Sequence, residues 1–358
     1  MFFASDNASP AHPKVMEALV KANEGYTPSY GEEPAMERVR NRLREIFEAP
    51  EAAVYLVATG TTANALSLAC HVQPWQAVYC HREAHVQMDE CGAPEFYTGG
   101  TKLVPLDGEH AKFTAAALEA ALAETPEGFV HAVQPGAVTI TNATEAGTVY
   151  SPDEVAGIAT VARAHGLALH MDGARFANAL VSAGCTPAEM TWKAGVDVLS
   201  FGGTKNGLMG VEAVLLFDPG RSWEFELRRK RGGHLFSKHR YLSAQMEAYL
   251  EDDLWLEMAR TANAAARRLA EGIRATPGAA LVHPVEANAV FASWPRAGHR
   301  KARDAGAAYY LWPFNQSLDG PDDEPLSARM VCSWCTTDAD VDDFLKLITP
   351  QGPLSCTG

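Results

Sequence analysis

Apolar runs bounded by glycine, proline or polar turn residues alternate with amphipathic segments over the first two thirds of the chain. This alternation predicts an α/β fold with a largely parallel sheet flanked by helices. Apolar runs of this length are typical of buried strands. The predicted strands are Ala53–Ala58, Ala77–Cys80, Lys102–Pro105, Val130–Val133, Leu167–Met171, Val196–Ser200 and Glu212–Phe217.

Helical patterns fill the intervals between these strands. The clearest covers Val155–His165, where Ser151 predicts an N-cap and Glu154 completes a capping box. A second helix is predicted over Ala63–Cys70. A long alanine-rich pattern over residues 240–275 predicts one or two helices that join two lobes.

The last part of the chain predicts a smaller α+β lobe. Its elements are two strands and a final helix, at Val290–Trp294, Arg329–Trp334 and Asp338–Leu347. We therefore expect a large domain with an N-terminal arm over residues 1–248 and a small domain over residues 249–358.

Composition narrows the possible partners. The net charge of −14 disfavours nucleic acid and anionic membranes and favours small molecules. The chain starts without a basic and then apolar leader pattern, and no apolar run is long enough to span a bilayer. The seven cysteines do not suggest a secreted disulfide framework, and the pair Cys332 and Cys335 lacks the second pair of a typical zinc site. We expect a cytoplasmic protein.

A lysine and an aspartate each follow a predicted strand. Lys205 lies in SFGGTKNG and Asp172 in HMDGAR. Ligands of open α/β sheets bind beyond the carboxyl ends of strands, so we expect both residues to face a crevice. Pyridoxal phosphate enzymes use such a pair: the amine forms a Schiff base with the cofactor aldehyde, and the carboxylate keeps the pyridine nitrogen protonated. Taken singly, Lys205 is better explained by a solvated loop charge, and Asp172 is explained equally by a turn or a cap.

The stretch ATGTTANAL offers a place for a phosphate. Gly60, Thr61 and Thr62 stand between a predicted strand and a helix, where backbone amides, hydroxyl groups and the helix dipole favour an anion. The motif is weak by itself. The sequence contains neither the P-loop nor the dinucleotide-binding glycine pattern, which disfavours nucleotide binding.

The stretches SYGEEP, ATGTTANAL, HMDGARFANAL, SFGGTKNG and ARMVCSW follow one another across most of the chain. Together they resemble the low-specificity L-threonine aldolases, which are fold type I, aspartate aminotransferase-like pyridoxal phosphate enzymes. The resemblance implies retro-aldol cleavage of L-threonine, L-allo-threonine or a related β-hydroxy-α-amino acid such as phenylserine to glycine and an aldehyde. It also implies a homodimer or homotetramer with shared active sites. A β-eliminating lyase or an aminotransferase on the same scaffold is the alternative.

The resemblance implies roles for individual residues. Lys205 corresponds to the Schiff-base lysine, Asp172 to the partner of the pyridine nitrogen and His85 to a histidine that stacks on the cofactor ring. Further cofactor-binding positions are Gly60, Thr61, Thr62, Arg175, Thr204 and, in part from a neighbouring subunit, Tyr30, Arg229 and Lys238. The substrate carboxylate is assigned to Ser5, Arg175 and Arg329.

One stretch departs from the family pattern. Where the family has ENTHNG, with a histidine near the substrate hydroxyl, this chain has TNATEAG, which places Glu145 at the matching position. The base for the β-hydroxyl proton therefore stays open among Glu145, His85 and a bound water. The basic run RRKRGGHLFSKHR, which contains Arg229 and Lys238, is explained equally by a solvated face and by a phosphate contact in a neighbouring subunit.

Two other classes of protein are considered. His81 and His85 are four residues apart, with Asp89 and Glu90 nearby, which is a possible zinc site of a hydrolase. The spacing matches neither HExxH nor HxxEH and shows no third ligand, so we predict no metal. A noncatalytic binding protein with a relic site is disfavoured by the intact Lys205 and Asp172.

Overall fold

The structure of the chain, a computed structural model, describes residues 1–349. These residues form a larger sheet of seven strands flanked by helices, and a smaller sheet of four strands. The strands of the larger sheet are β1 Ala53–Val57, β2 Gln76–His81, β3 Lys102–Leu106, β4 Gln134–Thr141, β5 Ala168–Gly173, β6 Val198–Phe201 and β7 Glu212–Leu216.

The larger sheet has the strand order β1-β7-β6-β5-β4-β2-β3. Strand β7 runs antiparallel to β1 and β6, and all other neighbours are parallel. The predicted mostly parallel sheet is confirmed. Because the carboxyl ends of β4, β5 and β6 lie at one edge, the loops that follow these strands meet there.

Helices connect and cover the strands. Their bounds are α1 Pro13–Ala22, α2 Pro34–Ile46, α3 Gly60–Ala69, α4 His85–Met88, α5 Ala93–Thr98, α6 Ala115–Glu124, α7 Pro152–Ala164, α8 Phe176–Ala183, α9 Pro187–Met190, α10 Ser222–Arg231, α11 Arg240–Leu250, α12 Leu254–Ala275, α13 Arg296–Asp304 and α14 Asp338–Ile348. The capping box of Ser151 and Glu154 is present at the start of α7, which confirms that prediction.

The predicted strand Val130–Val133 is wrong. Residues 130–133 form turns and irregular structure, and the strand is β4, which begins at Gln134. Pro135 and Gly136 look like turn residues in the sequence. In the structure Pro135 stands second in the strand, and a Cβ atom at Gly136 would lie 2.8 Å from Cβ of Gln76. The close approach of β2 therefore explains the glycine.

The long alanine-rich pattern forms two helices, α11 and α12. Asp252 and Asp253, in the turn between them, have φ values of 51° and 55°. A positive φ interrupts a right-handed helix, so the chain changes direction there. Helix α12 packs against α8, which follows a strand of the larger sheet, and against α14, which follows a strand of the smaller sheet. It therefore connects the parts of the chain that contain the two sheets.

The smaller sheet consists of β8 Ala280–Leu281, β9 Ala289–Pro295, β10 Tyr310–Leu311 and β11 Pro325–Val331, all paired antiparallel in the order β10-β11-β9-β8. The predicted strand Arg329–Trp334 is therefore only partly correct, because the strand begins earlier and ends at Val331. The acidic and proline-containing segment before β11 hides its start, but pairing with β9 over seven residues defines it.

The N-terminal arm lies against the smaller sheet. The N–H of Phe3 donates to the carbonyl of Ala308 at 2.7 Å, and the N–H of Val331 donates to the carbonyl of Phe3 at 2.8 Å. Phe3 is fully buried and packs edge-on against Phe344. This anchoring fixes the direction of the residues that follow, including Asp6.

The two largest groups of buried apolar side chains include Phe201 and Trp255 in one group and Phe3 and Trp294 in the other. The domain boundary at residue 248 stays a prediction, and residues 350–358 of the predicted small domain lie outside the described residues. No helix in the described part of the chain is long and apolar enough to cross a membrane.

Candidate active site

Asp172 and Lys205 lie at neighbouring strand ends of the larger sheet. Asp172 is in β5 opposite Ser200 of β6, and Lys205 follows β6 in a short turn. Asp172 is buried and Lys205 is partly buried. Burial lowers the pKa of the Lys205 amine, and the charge of Arg175 lowers this pKa further. An amine with a lowered pKa is neutral more often, and the neutral amine is the nucleophile.

The turn that carries Lys205 is tightly held. A Cβ atom at Gly202 would lie 2.3 Å from the carbonyl oxygen of Ala174, so no larger residue fits there without a backbone shift. The hydroxyl group of Thr204 accepts a hydrogen bond from the N–H of Val211 at 3.2 Å, and the carboxylate of Glu212 accepts one from the N–H of Gly203 at 2.6 Å. These contacts fix the backbone on either side of Lys205.

A chain of buried side chains links Asp172 to His85. Asp172 Oδ1 accepts a hydrogen bond from the N–H of Ala174 at 2.9 Å, and Oδ2 accepts one from Asn64 Nδ2 at 2.8 Å. Asn64 Nδ2 also donates to Glu90 Oε1 at 2.9 Å. The same oxygen of Glu90 hydrogen-bonds to His85 Nδ1 at 2.8 Å. The hydrogen bond to Glu90 raises the pKa of His85.

Glu145 lies beside His85. Its Oε1 accepts hydrogen bonds from the backbone N–H of His85 at 2.8 Å and from the hydroxyl group of Thr141 at 2.9 Å. Its Oε2 is buried and has no hydrogen-bond partner within residues 1–349. Burial raises the pKa of Glu145 to about 7, and the charge of Asp172 contributes. This carboxyl group therefore changes protonation near neutral pH, which suits a general base.

The two arginines predicted to bind a carboxylate lie near the N-terminal arm. Arg175 binds Asp6 with two hydrogen bonds, from Nε at 2.7 Å and from Nη2 at 2.9 Å. Arg329 Nη1 donates to the carbonyl of Ala4 at 3.4 Å. Burial lowers the pKa of Arg329, and the nearby charge of Arg175 lowers it further. Ser5, between the two contacts, caps the short turn that follows it.

The predicted phosphate turn is the start of α3. The first N–H groups of a helix, here those of Gly60 and Thr61, have no acceptor inside it. A Cβ atom at Gly60 would meet nothing within 4 Å, so the helix start faces open space. Behind it, the hydroxyl group of Thr62 contacts His234 Nδ1 at 3.2 Å, and the hydroxyl group of Tyr97 contacts Nε2 of this histidine at 2.8 Å. His234 thus connects the basic run to this turn within one chain.

The residues predicted to act across a subunit interface are Tyr30, Arg229 and Lys238. Tyr30 is half exposed, with Lys230 Nζ 4.8 Å from its ring centroid, and Lys238 is exposed. Arg229 is buried over the ring of Tyr55, and burial lowers its pKa to about 10. Its Nε and Nη2 atoms have no partner in the described part of the chain. Contacts of these residues with a neighbouring subunit stay predictions.

His81 and His85 do not form a zinc pair. His81 ends β2 and His85 begins α4, so the two do not share a helix. His81 Nε2 contacts the carbonyl of Gly108 at 3.2 Å, and Nδ1 accepts the N–H two residues later at 3.1 Å. His85, Glu90 and Asp172 do place ligand atoms within 4.8 Å of one another. The hydrogen bonds of this group, described above, account for that grouping.

Several residues of the site were missed by sequence reasoning or seen only in another role: Asp6, Asn64, Glu90, Glu212 and His234. Two of them lie inside motifs that were recognised, Asp6 beside Ser5 in SDN and Asn64 in ATGTTANAL. A polar residue that falls on the buried side of a motif was the available signal.

Comparison with known proteins places the chain. The model of a family described as beta-eliminating lyase matches residues 3–295. A low-specificity L-threonine aldolase of Pseudomonas sp. (strain NCIMB 10558) is 42% identical over 339 residues, which cover 95% of this chain and 94% of that protein. The structure of Leishmania major threonine aldolase superposes with a TM-score of 0.89 at 28% sequence identity. The superposition covers 97% of this chain and 98% of the Leishmania chain.

A more distant structure shares the fold alone. Serine palmitoyltransferase from S. paucimobilis, with bound pyridoxal phosphate and myriocin, is 14% identical with a TM-score of 0.64 over 97% of this chain and 86% of its own. The prediction of a fold type I architecture is confirmed.

The architecture and the family match define a member of the beta-eliminating lyase family. Within that family, the chain belongs to the low-specificity L-threonine aldolases, as its likeness to them over nearly the whole length shows. The resemblance inferred from the motifs is confirmed.

Proposed function

We propose that this protein is a pyridoxal phosphate-dependent aldolase. It cleaves L-threonine, L-allo-threonine or a related β-hydroxy-α-amino acid to glycine and an aldehyde. The main support for this proposal is that Lys205, Asp172 and Arg175 lie together at one edge of the sheet. The chain that carries them is 42% identical to low-specificity L-threonine aldolases. These are the groups that a cofactor aldehyde, a pyridine nitrogen and a substrate carboxylate require.

The residues present fit the cofactor. The open helix start at Gly60 and Thr61 suits its phosphate, and the tight turn presents the Lys205 amine to its aldehyde. Asp172 is buried, and each of its oxygens accepts one hydrogen bond from the protein, which leaves a lone pair to hold a proton at the pyridine nitrogen. When bound, the cofactor ring takes up the electron pair of the breaking Cα–Cβ bond.

Arg175 and Arg329 orient the substrate. Their guanidinium groups lie close enough for the charge of one to lower the pKa of the other. A carboxylate between them would relieve this repulsion. Because the carboxylate is then fixed, the Cα–Cβ bond can be held perpendicular to the cofactor ring, and this orientation selects the bond that breaks.

Glu145 is the proposed base for the β-hydroxyl proton. Its Oε1 is held by two donors, while its buried Oε2 has no partner among the described residues. Because its pKa is about 7, a large fraction of the carboxylate is ionised at neutral pH. His85, whose backbone holds Glu145, is the other candidate, and the exchange of Glu145 for glutamine described below separates the two.

The assembly and the location belong to the proposal as well. The half-exposed Tyr30, and the Nε and Nη2 atoms of Arg229 that have no partner within residues 1–349, support a homodimer or homotetramer with shared active sites. The cysteines of the described residues are free thiols, which supports a reducing, cytoplasmic compartment.

The test is product analysis with the cofactor-loaded protein. A panel of β-hydroxy-α-amino acids, including phenylserine, should yield glycine and the matching aldehyde. No glycine from any of them would refute the proposal, and pyruvate or a transferred amino group would indicate the alternative β-eliminating lyase or aminotransferase. Lys205→Ala should abolish turnover, and borohydride should no longer attach the cofactor to the chain. Cofactor still fixed to that variant would show that Lys205 is not the attachment site.

A further inference from the structure

The carboxylate of Glu90 lies next to the ring of His85 and is not exposed at the surface of the protein. Its side chain is fully buried. Its Oε1 interacts with Asn64 and His85, at 2.9 and 2.8 Å, and its Oε2 has no partner within residues 1–349. A buried carboxylate is costly unless donors or a nearby positive charge compensate it. His85 is the titratable group that contacts Glu90 directly.

We propose that Glu90 is a positioning residue that keeps a proton on Nδ1 of His85 and so fixes the orientation of the ring, with Asn64 holding Glu90 in place beside Asp172. The role in catalysis rests on the proposed function, because it requires that His85 meets the cofactor or the substrate. The state of the proton does not depend on that function.

The hydrogen-bond geometry favours the proton on the imidazole. Glu90 Oε1 faces two nitrogen atoms, Asn64 Nδ2 and His85 Nδ1. The amide nitrogen can only donate, and an oxygen that accepts two N–H groups is most stable as a carboxylate oxygen. Nδ1 is therefore the donor, and Nε2 is the ring nitrogen left to exchange a proton with a ligand. The raised pKa of His85, caused first by the hydrogen bond to Glu90, agrees with this arrangement. Burial also raises the pKa of Glu90, and the hydrogen bonds from His85 and Asn64 act against that rise.

Asn64 ties this pair to the other side of the site. Its single Nδ2 group donates to Glu90 and, at 2.8 Å, to Asp172 Oδ2. Two carboxylates that share one amide group repel each other, so the proton on His85 is favoured electrostatically by both. The charge of Asp172 also raises the pKa of His85. His85 and Asp172, predicted to contact the same cofactor ring, are thus held in one network.

Other charged groups near His85 are Lys205 and Glu145. Lys205 acts in the opposite direction and lowers the pKa of His85. Glu145 contacts the backbone of His85 through its Oε1. Glu90 makes the direct hydrogen bond to the ring, so replacing it should have the largest effect on the imidazole.

The test is an NMR titration of the full-length, cofactor-loaded protein labelled with 15N-histidine. The signals of His85 are assigned by their loss in His85→Asn. We expect a proton on Nδ1 and, in Glu90→Gln, a titration midpoint lowered by roughly one to three pH units, because the neutral amide keeps the shape but removes the charge. An unchanged midpoint, or an Nε2–H tautomer in the wild type, would overturn the proposal.

The chain offers a matched control in Glu33, another buried carboxylate that hydrogen-bonds to a histidine, His239, at 2.8 Å. Glu33→Gln should leave the midpoint of His85 where it is. An equal shift in this control would mean that the effect of Glu90→Gln is general and would count against the proposal.

Kinetics separate positioning from folding. Glu90→Gln should reduce kcat by about 10–100-fold and should raise KM by a smaller factor. Loss of a carboxylate behind a metal-bound histidine reduces activity by a similar factor. In a His85→Asn background the same change should have almost no further effect, because Glu90 acts through the imidazole. An equal loss in both backgrounds would refute that route. If the wild type released no glycine, the proposed function would fail, while the titration would still decide the state of His85.

Discussion

The ion pair between Asp6 and Arg175 offers a sharp test of how the N-terminal arm supports the site. Asp6→Asn removes the negative charge. It also turns an amide donor towards two groups that already donate to Asp6, the guanidinium of Arg175 and the side-chain amide of Asn288. The Nδ2 atom of Asn288 lies 3.0 Å from Asp6 Oδ2. The side chain of Asp6 is 1% exposed and that of Arg175 is 12% exposed. The arginine charge therefore stays in a site that water barely reaches.

The size of the effect follows from burial. Removing one partner of a buried, hydrogen-bonded ion pair costs about 3–5 kcal/mol, because the other charge is left uncompensated. Asp107→Asn is the matched control, since Asp107 binds Arg82 with the same two-bond geometry, at 2.6 and 3.2 Å, but both side chains are exposed. That substitution should leave the free energy of unfolding essentially unchanged.

The dependence on pH gives a second check. Burial alone would raise the pKa of Asp6, but the charge and hydrogen bonds of Arg175 and the hydrogen bond of Asn288 lower it below the ordinary value. The stabilisation is then complete above the pKa of the unfolded chain, about 4, and is lost as pH falls through the lower pKa of the folded state. The difference between wild type and Asp6→Asn should therefore shrink below about pH 4.

The assay is urea unfolding followed by tryptophan fluorescence, at fixed protein and cofactor concentrations because bound cofactor adds stability. KM for the amino acid is measured alongside and should rise in Asp6→Asn, since Arg175 loses the group that orients it. A loss of stability in Asp6→Asn no larger than in Asp107→Asn would refute the reasoning.

Two further predictions concern the reacting groups. Because burial raises the pKa of Glu145 to about 7, activity should rise as pH increases through that value. Glu145→Gln should lower kcat by about 10²–10⁴-fold and abolish this rise with pH. If the variant kept the rise, Glu145 would be excluded as the base. Gly202→Ala should reduce the share of covalently bound cofactor, measured by visible absorbance, because its Cβ atom would lie 2.3 Å from a carbonyl oxygen. The control is Gly210→Ala, whose Cβ atom has its nearest contact at 3.9 Å and which should bind the cofactor normally. Equal binding by both variants would show that the turn of Lys205 tolerates the shift.

Local patterns predicted much of the larger sheet. The strand before Lys205 and the capping box of Ser151 and Glu154 could be recognised because hydrophobic periodicity and capping depend on residues a few positions apart. The sequence misplaces strand β4 because Pro135 and Gly136 have turn preferences, and only the approach of β2 explains the glycine.

The candidate site divides in the same way. Asp172 and Lys205 could be proposed from the sequence because each follows an apolar strand, and an α/β sheet gathers such positions at one edge. The partner of Arg175 could not be predicted, since Asp6 is 169 residues away along the chain. No periodic pattern connects residues at that separation.

The sequence by itself thus determined the alternation of strands and helices, the family motifs and the reactive residue types. Only the tertiary structure decided which polar groups meet: Asp6 with Arg175, and Asn64 with both Glu90 and Asp172. The physical reason is that propensity and periodicity act over short stretches of chain. Burial and hydrogen bonding act between groups that become neighbours only when the arm, the sheet and the helices have packed together.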